Sequence, residues 1–245
     1  MSISILIIAK NEANNIKKNF YWLEKCPNID DIVLIDDYSS DKTKIAIPKA
    51  TIIKHHLNNN FAAQRNFGLS KTKNDYVLIL DADETPSPEL IQFIANFKES
   101  DQDYAFRRTE IFLGHELKHG ETGNFYTTRL INKTTGNFVR PVHEIWESPT
   151  PTKKLNLRIY HYSHFALKSF LEKINFYSTI RAKELFDTNT KTNLFQIILY
   201  PKAKFIKNYI LKFGFLDGTP GLIMALSMSF HSFLVRAKLW HMQQQ

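Results

Sequence analysis

The chain has 245 residues, 43% of them hydrophobic and 23% charged, which is enough apolar material to bury a full α/β core. Its single cysteine, Cys26, excludes an internal disulfide, and it opens on a strand-like segment with no basic-then-apolar leader, so it reads as unsecreted and cytoplasmic. A net charge of +8 suits an anionic partner such as a nucleic acid, a phosphorylated glycolipid or an anionic bilayer surface. The lysines are dispersed and no recognised binding motif occurs, which argues against nucleic acid.

In chain order, Ile3 to Ala9 reads as a first buried strand. Asn11-Glu12 then opens a helix with Ile16, Phe20 and Leu23 on one face. Ile32 to Ile35 forms a second strand ending in Asp36-Asp37, and Thr51 to Ile53 a third. A helix-like segment spans Phe61 to Ser70, and Tyr76 to Leu80 is a fourth strand. This alternation predicts βαβ units in a mostly parallel, Rossmann-like sheet. From Asp103 to His161 short strand-like pieces follow: Tyr104 to Arg107, Thr127 to Ile131 and Leu155 to Tyr160. Beyond Ser163 the pattern turns helical over Leu167 to Phe186, a helix opened by Pro201, and Pro220 through Trp240. The expected division is a catalytic domain over 1–163, with a nucleotide-binding half at 1–100 and an acceptor-facing half at 101–163, and a helical extension over 164–245.

Phe205, Ile206, Tyr209, Ile210 and Phe213 fall on one helical arc while Lys204, Lys207 and Lys212 lie away from it, a basic amphipathic pattern. With the basic and aromatic tail Arg236, Lys238, Trp240 and His241, these helices read as a membrane-surface segment. The uncharged run from Thr219 to Val235 contains Ser227, Ser229, His231 and Ser232, so no spanning helix is expected.

The chemistry concentrates where strands end, because ligands of open α/β sheets bind outside the strands' carboxyl ends. Asp81-Ala82-Asp83-Glu84 directly follows the fourth strand. Asp81 and Asp83 offer hard oxygen ligands for Mg²⁺ or Mn²⁺ carrying a substrate diphosphate. Asp36 and Asp37 can accept hydrogen bonds from a base N–H or from ribose hydroxyls. Turn and helix-cap roles compete for both motifs. Arg65, in Gln64-Arg65-Asn66, could bond the base or a phosphate. Transfer of a sugar from a nucleoside diphosphate also needs a base on the acceptor side. Glu144 in Pro141-Val142-His143-Glu144 is the candidate, with His143 giving a hydrogen bond or a further metal ligand, and Glu110, Glu116, His119 and Glu121 as competitors. One acceptor-side carboxylate implies single displacement with inversion.

Taken together, Ile7 to Glu12, Ile35 to Asp41, Ala62 to Gly68 and Leu80 to Glu84 closely resemble the family 2 glycosyltransferases. Val142-His143-Glu144, His161-Tyr162-Ser163 and Phe215 to Leu222 are similar to the lipopolysaccharide-core glucosyltransferase branch. The resemblance implies a GT-A fold, an inverting, divalent-metal-dependent reaction, a nucleotide-sugar donor such as UDP-glucose, and a lipid-linked glycan or lipopolysaccharide-core acceptor. It also implies a place on the inner face of a bacterial cytoplasmic membrane. By motif match Asp36 and Asp37 are the nucleotide-binding aspartates and Asp83 is the metal-binding one. Ala9, Glu12 and Arg65 line the donor pocket, with Lys10 and Ala82 beside them, and Asp81 lies near ribose and metal. Many members place the base in a Glu-Asp pair, which this chain lacks. A sugar nucleotidyltransferase would carry a Gly-rich loop after strand one, where Lys10 to Asn14 has none. A non-catalytic nucleotide-binding or membrane scaffold is the other alternative, and the retained Asp37, Asp81, Asp83 and Glu144 argue against it.

Overall fold

The structure is a computed structural model that describes residues 1–43, 46–98, 100–123, 125–164 and 167–245. The first half runs β1 (Ile3–Ala9), α1 (Ala13–Asn19), β2 (Ile29–Asp36), β3 (Thr51–Lys54), α2 (Phe61–Leu69), β4 (Tyr76–Asp81), β5 (Glu84–Pro86) and α3 (Pro88–Ala95). Then come β6 (Asp103–Phe112), β7 (His115–Leu117), β8 (Phe125–Asn132), β9 (Asn137–Val139), β10 (Ile145–Glu147) and β11 (Thr152–His164). Three helices close the chain: α4 (Leu167–Asp187), α5 (Leu194–Phe205) and α6 (Gly218–Met242).

The main sheet has the order β3-β2-β1-β4-β8-β6-β11-β5, with β7 on β6. β3, β2, β1 and β4 are parallel, as the βαβ alternation predicts, and the sheet continues antiparallel from β4 to β8. The sheet is therefore mixed, with its parallel half carrying the Rossmann-like pattern. The apolar runs are continuous because both faces of this half are covered. Ile5, Ile7, Leu34, Leu78 and Leu80 pack into one core cluster, while Leu6, Val33, Ile35, Val77 and Ile79 pack into another.

Helix starts follow cap chemistry. Asn60 Oδ1 accepts from Ala63 N at 2.9 Å to open α2, and Ser87 Oγ accepts from Leu90 N at 3.3 Å to open α3. The helix expected to open at Pro201 instead opens at Leu194, because Asn193 Oδ1 accepts from Gln196 N at 3.0 Å, and Pro201 lies inside it. The arc expected to run on to Phe213 also breaks: residues Ile206–Leu211 widen to π-helical geometry, and Phe213 turns left-handed at φ 57°.

The chain divides into two compact units, one of Met1–Arg108 with Tyr126–His161, the other of Thr109–Phe125 with Tyr162–Gln245. The first holds the donor and metal candidates and Glu144, while the competing bases Glu110, Glu116, His119 and Glu121 lie in the second. The second joins the closing helices to the β6–β7 hairpin, which the sequence division had placed in the acceptor-facing half. Within this unit Phe112 packs on Phe170 with ring centroids 5.1 Å apart, and α6 packs along α4 and α5. The expected boundary at 163/164 abuts residues 165 and 166, which lie outside the described residues. The uncharged run begins one residue earlier than expected, at Gly218. Gly214–Met242 is long and apolar enough by composition to cross a membrane, with mean hydropathy 1.3 in its most apolar window and 28% of that window buried. That is one such helix among the described residues, where the sequence expectation was none.

Gly68 brings α2 against the sheet. A Cβ there would lie 2.5 Å from Leu6 Cδ1 and 3.2 Å from Ile35 Cγ1, and both of those residues are fully buried. Gly68→Ala should lower unfolding free energy by about 1–3 kcal/mol in urea titrations despite the gain in helix propensity. An unchanged midpoint would show that α2 is not seated this closely.

Candidate functional site

The parallel strands end in register. Ala9 pairs with Asp36 and Ile8 with Asp81, so the carboxylates of β2 and β4 flank the end of β1 on one sheet edge. Asp36 is buried, and its Oδ1 accepts from Ser39 N at 3.1 Å. Asp37 N donates to Ala9 O at 2.9 Å, which fixes the turn. Asp37 Oδ2 accepts from Lys10 Nζ at 2.8 Å and its Oδ1 from Leu57 N at 3.1 Å. Burial opposes charge on Asp37, but the Lys10 and Leu57 bonds outweigh it and hold the carboxyl below its ordinary range. Glu12 Oε2 accepts from Asn15 Nδ2 at 2.6 Å, and Ala82 O accepts from Asn19 Nδ2 at 3.0 Å. The next residue, Tyr38, is half exposed and stacks on His56 with centroids 3.9 Å apart, beside the two aspartates. Sequence reasoning had not singled out this platform.

A lattice of alternating charge sits beneath the end of β4. Arg65 bridges two carboxylates, with Nη2 donating to Asp81 Oδ1 at 2.8 Å and Nε to Glu144 Oε1 at 2.8 Å. Arg129 Nη2 donates to Asp81 Oδ2 and to Glu84 Oε1, both at 2.7 Å. Arg108 Nε donates to Glu84 Oε1 at 3.0 Å. Arg65, Arg108 and Arg129 thus balance Asp81, Glu84 and Glu144. Arg65 is 3% exposed and Glu84 fully buried. Burial opposes charge on Asp81, yet Arg129 and Arg65 hold its carboxyl far below the usual carboxylate range. The same carboxylates raise Arg129 against its own desolvation. Arg65 is thus engaged by Asp81 and Glu144, two carboxylates beside which the sequence reading had offered it a base or a phosphate. Its Nη1 is buried with no hydrogen-bond partner.

Asp83 points elsewhere. Its Oδ2 lies 3.2 Å from His161 Nε2, and both side chains are largely buried. Both Asp81 oxygens are held by guanidinium groups, whereas Asp83 and His161 form an oxygen–imidazole pair. Among the described residues no group of three or more His, Cys, Asp or Glu side chains is assembled for a metal. The expected set of Asp81, Asp83 and His143 is therefore not brought together. His143 is exposed, in a left-handed conformation at φ 55°. The pair Asp83–His161 fits a cation of the kind that takes few protein ligands and completes its shell with substrate phosphates. Among the competing bases, His119 is bonded to Asp217 and Glu121 to Lys204.

Removing one partner from a buried ion pair leaves an uncompensated charge. Arg129→Met should therefore cost about 3–5 kcal/mol of unfolding free energy at neutral pH, read by urea denaturation. A depressed Asp81 stabilises the fold above its unfolded value of about 3.9 and loses that contribution as pH falls through the folded value. The gap between wild type and variant should therefore narrow on acidification. A loss under about 1 kcal/mol, constant with pH, would remove the lattice from the account.

Residues 4–170 match the family model described as glycosyl transferase family 2. An uncharacterised glycosyltransferase of Rickettsia bellii is 28% identical over 99% of this chain and 87% of its own length. The lipopolysaccharide core biosynthesis glycosyltransferase LpsC of Rhizobium meliloti is 22% identical over 98% of this chain and 92% of its own length. Among solved structures, the mannosyltransferase PcManGT of Pyrobaculum calidifontis, in complex with GDP-mannose and Mn²⁺, shares the fold at a TM-score of 0.56 and 11% identity, over 98% of this chain and 87% of that one. With a GT-A fold and a family match over most of its length, the chain belongs to glycosyl transferase family 2.

Proposed function

We propose that this glycosyltransferase moves a sugar, glucose in the first instance, from a UDP-linked donor to a lipopolysaccharide-core or related lipid-linked glycan, with inversion at the anomeric carbon. The observation that carries the reading is Arg65, which ties Asp81 at the donor edge to Glu144 through a single guanidinium.

In this scheme Asp36 and Asp37 take hydrogen bonds from the ribose and the uracil N–H, with Lys10 available to a phosphate once it leaves Asp37. The Tyr38–His56 stack offers a flat face for the base. Asp83 and His161 would hold a Mg²⁺ or Mn²⁺ ion, which supplies charge neutralisation for the departing diphosphate. Glu144 Oε1 is fixed by Arg65, and among the described residues Oε2 makes no hydrogen bond. Glu144 Oε2 takes the acceptor hydroxyl's proton as the hydroxyl oxygen attacks the anomeric carbon; the bond to the β-phosphate oxygen breaks and the diphosphate leaves with the electron pair. A single acceptor-side base fits a single displacement. The LpsC relative supports a core-type acceptor.

Two variants separate the roles. Glu144→Gln keeps an oxygen for Arg65 but cannot take a proton, so transfer from UDP-glucose should fall about 10²–10⁴-fold while UDP affinity by calorimetry is unchanged. Asp83→Asn should instead lower UDP affinity in Mn²⁺ and leave metal-free binding alone. Full transfer by the Gln variant would move the base elsewhere. Metal-independent UDP binding by wild type would remove the ion from the reading.

A further inference from the structure

The second unit keeps many large apolar side chains in solvent, along α5 and α6 as well as at the turn between them, where one group projects together. Leu211 is 67% exposed, Phe213 56% and Leu216 60%, with Ile210 and Phe215 about half exposed beside them. A soluble surface rarely collects such a patch without a partner.

The turn is built to hold these side chains outward. Gly214 allows close approach to the backbone of Asn208, where a Cβ would lie 2.6 Å from the carbonyl oxygen. Phe213 is left-handed, a costly state for a bulky residue, and its ring lies 6.1 Å from Phe215 by centroid. Asp217 then clamps the turn from within: its Oδ2 accepts from Lys118 N at 3.1 Å and His119 N at 2.9 Å, and its Oδ1 lies 2.7 Å from His119 Nδ1. Gly120 N adds a bond to Lys212 O at 2.9 Å. The segment Phe215 to Leu222 that resembles the lipopolysaccharide branch is therefore, in this unit, a device that shapes an apolar tip.

Charge selects the occupant. From Thr188 to Gln245 the sequence has seven lysines and arginines and one acid, Asp217. That acid is turned inward, its side chain 5% exposed, and the acid beside the tip, Glu121, is paired with Lys204 at 2.6 Å, so Lys207 and Lys212 leave this surface with an excess of positive charge. A second copy would bring lysine against lysine. An anionic bilayer supplies both an apolar phase for the tip and phosphates for the amines. Spanning fits less well, because Gly221, Ala225, Val235 and Leu239 of α6 are buried, and Lys238 is bonded to Asn175 and Ser178.

We propose that the α5–α6 turn is a membrane wedge: Leu211, Phe213 and Leu216 seat in the headgroup–acyl boundary of an anionic bilayer, with Lys207 and Lys212 on its phosphates, and the helices do not cross. The wedge stands on this surface independently of the transfer chemistry. The test is co-sedimentation of the full chain with vesicles of phosphatidylcholine alone or with about one-third phosphatidylglycerol. Wild type should bind the anionic vesicles and be released by salt. Leu211→Gln/Phe213→Gln/Leu216→Gln should bind about 100-fold more weakly to both compositions. Lys207→Glu/Lys212→Glu should lose about tenfold on anionic vesicles only. Circular dichroism and UDP binding, both unchanged, show that the variants fold. In Phe213→Trp, shallow brominated lipids should quench and bilayer-centre ones should not. The wedge is overturned if wild type ignores anionic vesicles, if the glutamine variant binds as well as wild type, if the chain resists alkaline carbonate extraction, or if the glutamine substitutions only dissolve a dimer.

Discussion

The end of β4 depends on the Asp81–Arg65–Glu144 bridge and on the second guanidinium, Arg129, that completes it. Burying these charges singly would cost several kcal/mol each; burying them as an alternating set leaves each with a partner at hydrogen-bond distance. The set ties together residues that are far apart in the chain. Arg65 and Glu144 are 79 positions apart, and Arg129 and Asp81 are 48. Glu84, at the bottom, also accepts Asp81 N at 3.1 Å, tying the turn after β4 to the same charges.

One consequence is a division of labour within Asp81-Ala82-Asp83-Glu84. Asp81 and Glu84 face the guanidiniums and hold the framework, whereas Asp83 alone turns toward His161. The backbone explains the split: Asp81 ends β4, Glu84 begins β5, and β5 pairs with β11 so that Glu84 sits opposite His161. The short β5 strand therefore delivers His161 to Asp83. Preorganised charge of this kind suits a transfer reaction, in which charge develops at the reacting bond.

Much of this was legible in the sequence, for a local reason. Ile5 to Ala9 and Tyr76 to Leu80 are continuous apolar runs because two core clusters share them, and such runs announce central strands without any knowledge of partners. The acidic residues at strand ends follow from the same reading. Arg129 and the His161–Asp83 pair were not legible, because an arginine inside a strand and a histidine in a later strand acquire meaning only through pairings with distant segments. The registers that make them, β4 with β8 and β5 with β11, are antiparallel additions that no periodicity encodes. The grouping of the β6–β7 hairpin with the closing helices was not legible for the same reason: what binds it to them is the buried Asp217, nearly 100 positions away. His143, by contrast, was singled out because it adjoins Glu144 in sequence, while its left-handed backbone leaves it exposed.

The central claim is that Asp83 and His161, and not Asp81 or His143, form the cation site of the donor pocket. Pulsed electron paramagnetic resonance of Mn²⁺ with UDP and the full chain tests it directly, because a coordinated imidazole nitrogen modulates the manganese echo. The account predicts nitrogen modulation from one histidine in wild type, retained in His143→Ala and absent in His161→Ala. Modulation that persists in His161→Ala and disappears in His143→Ala would contradict it.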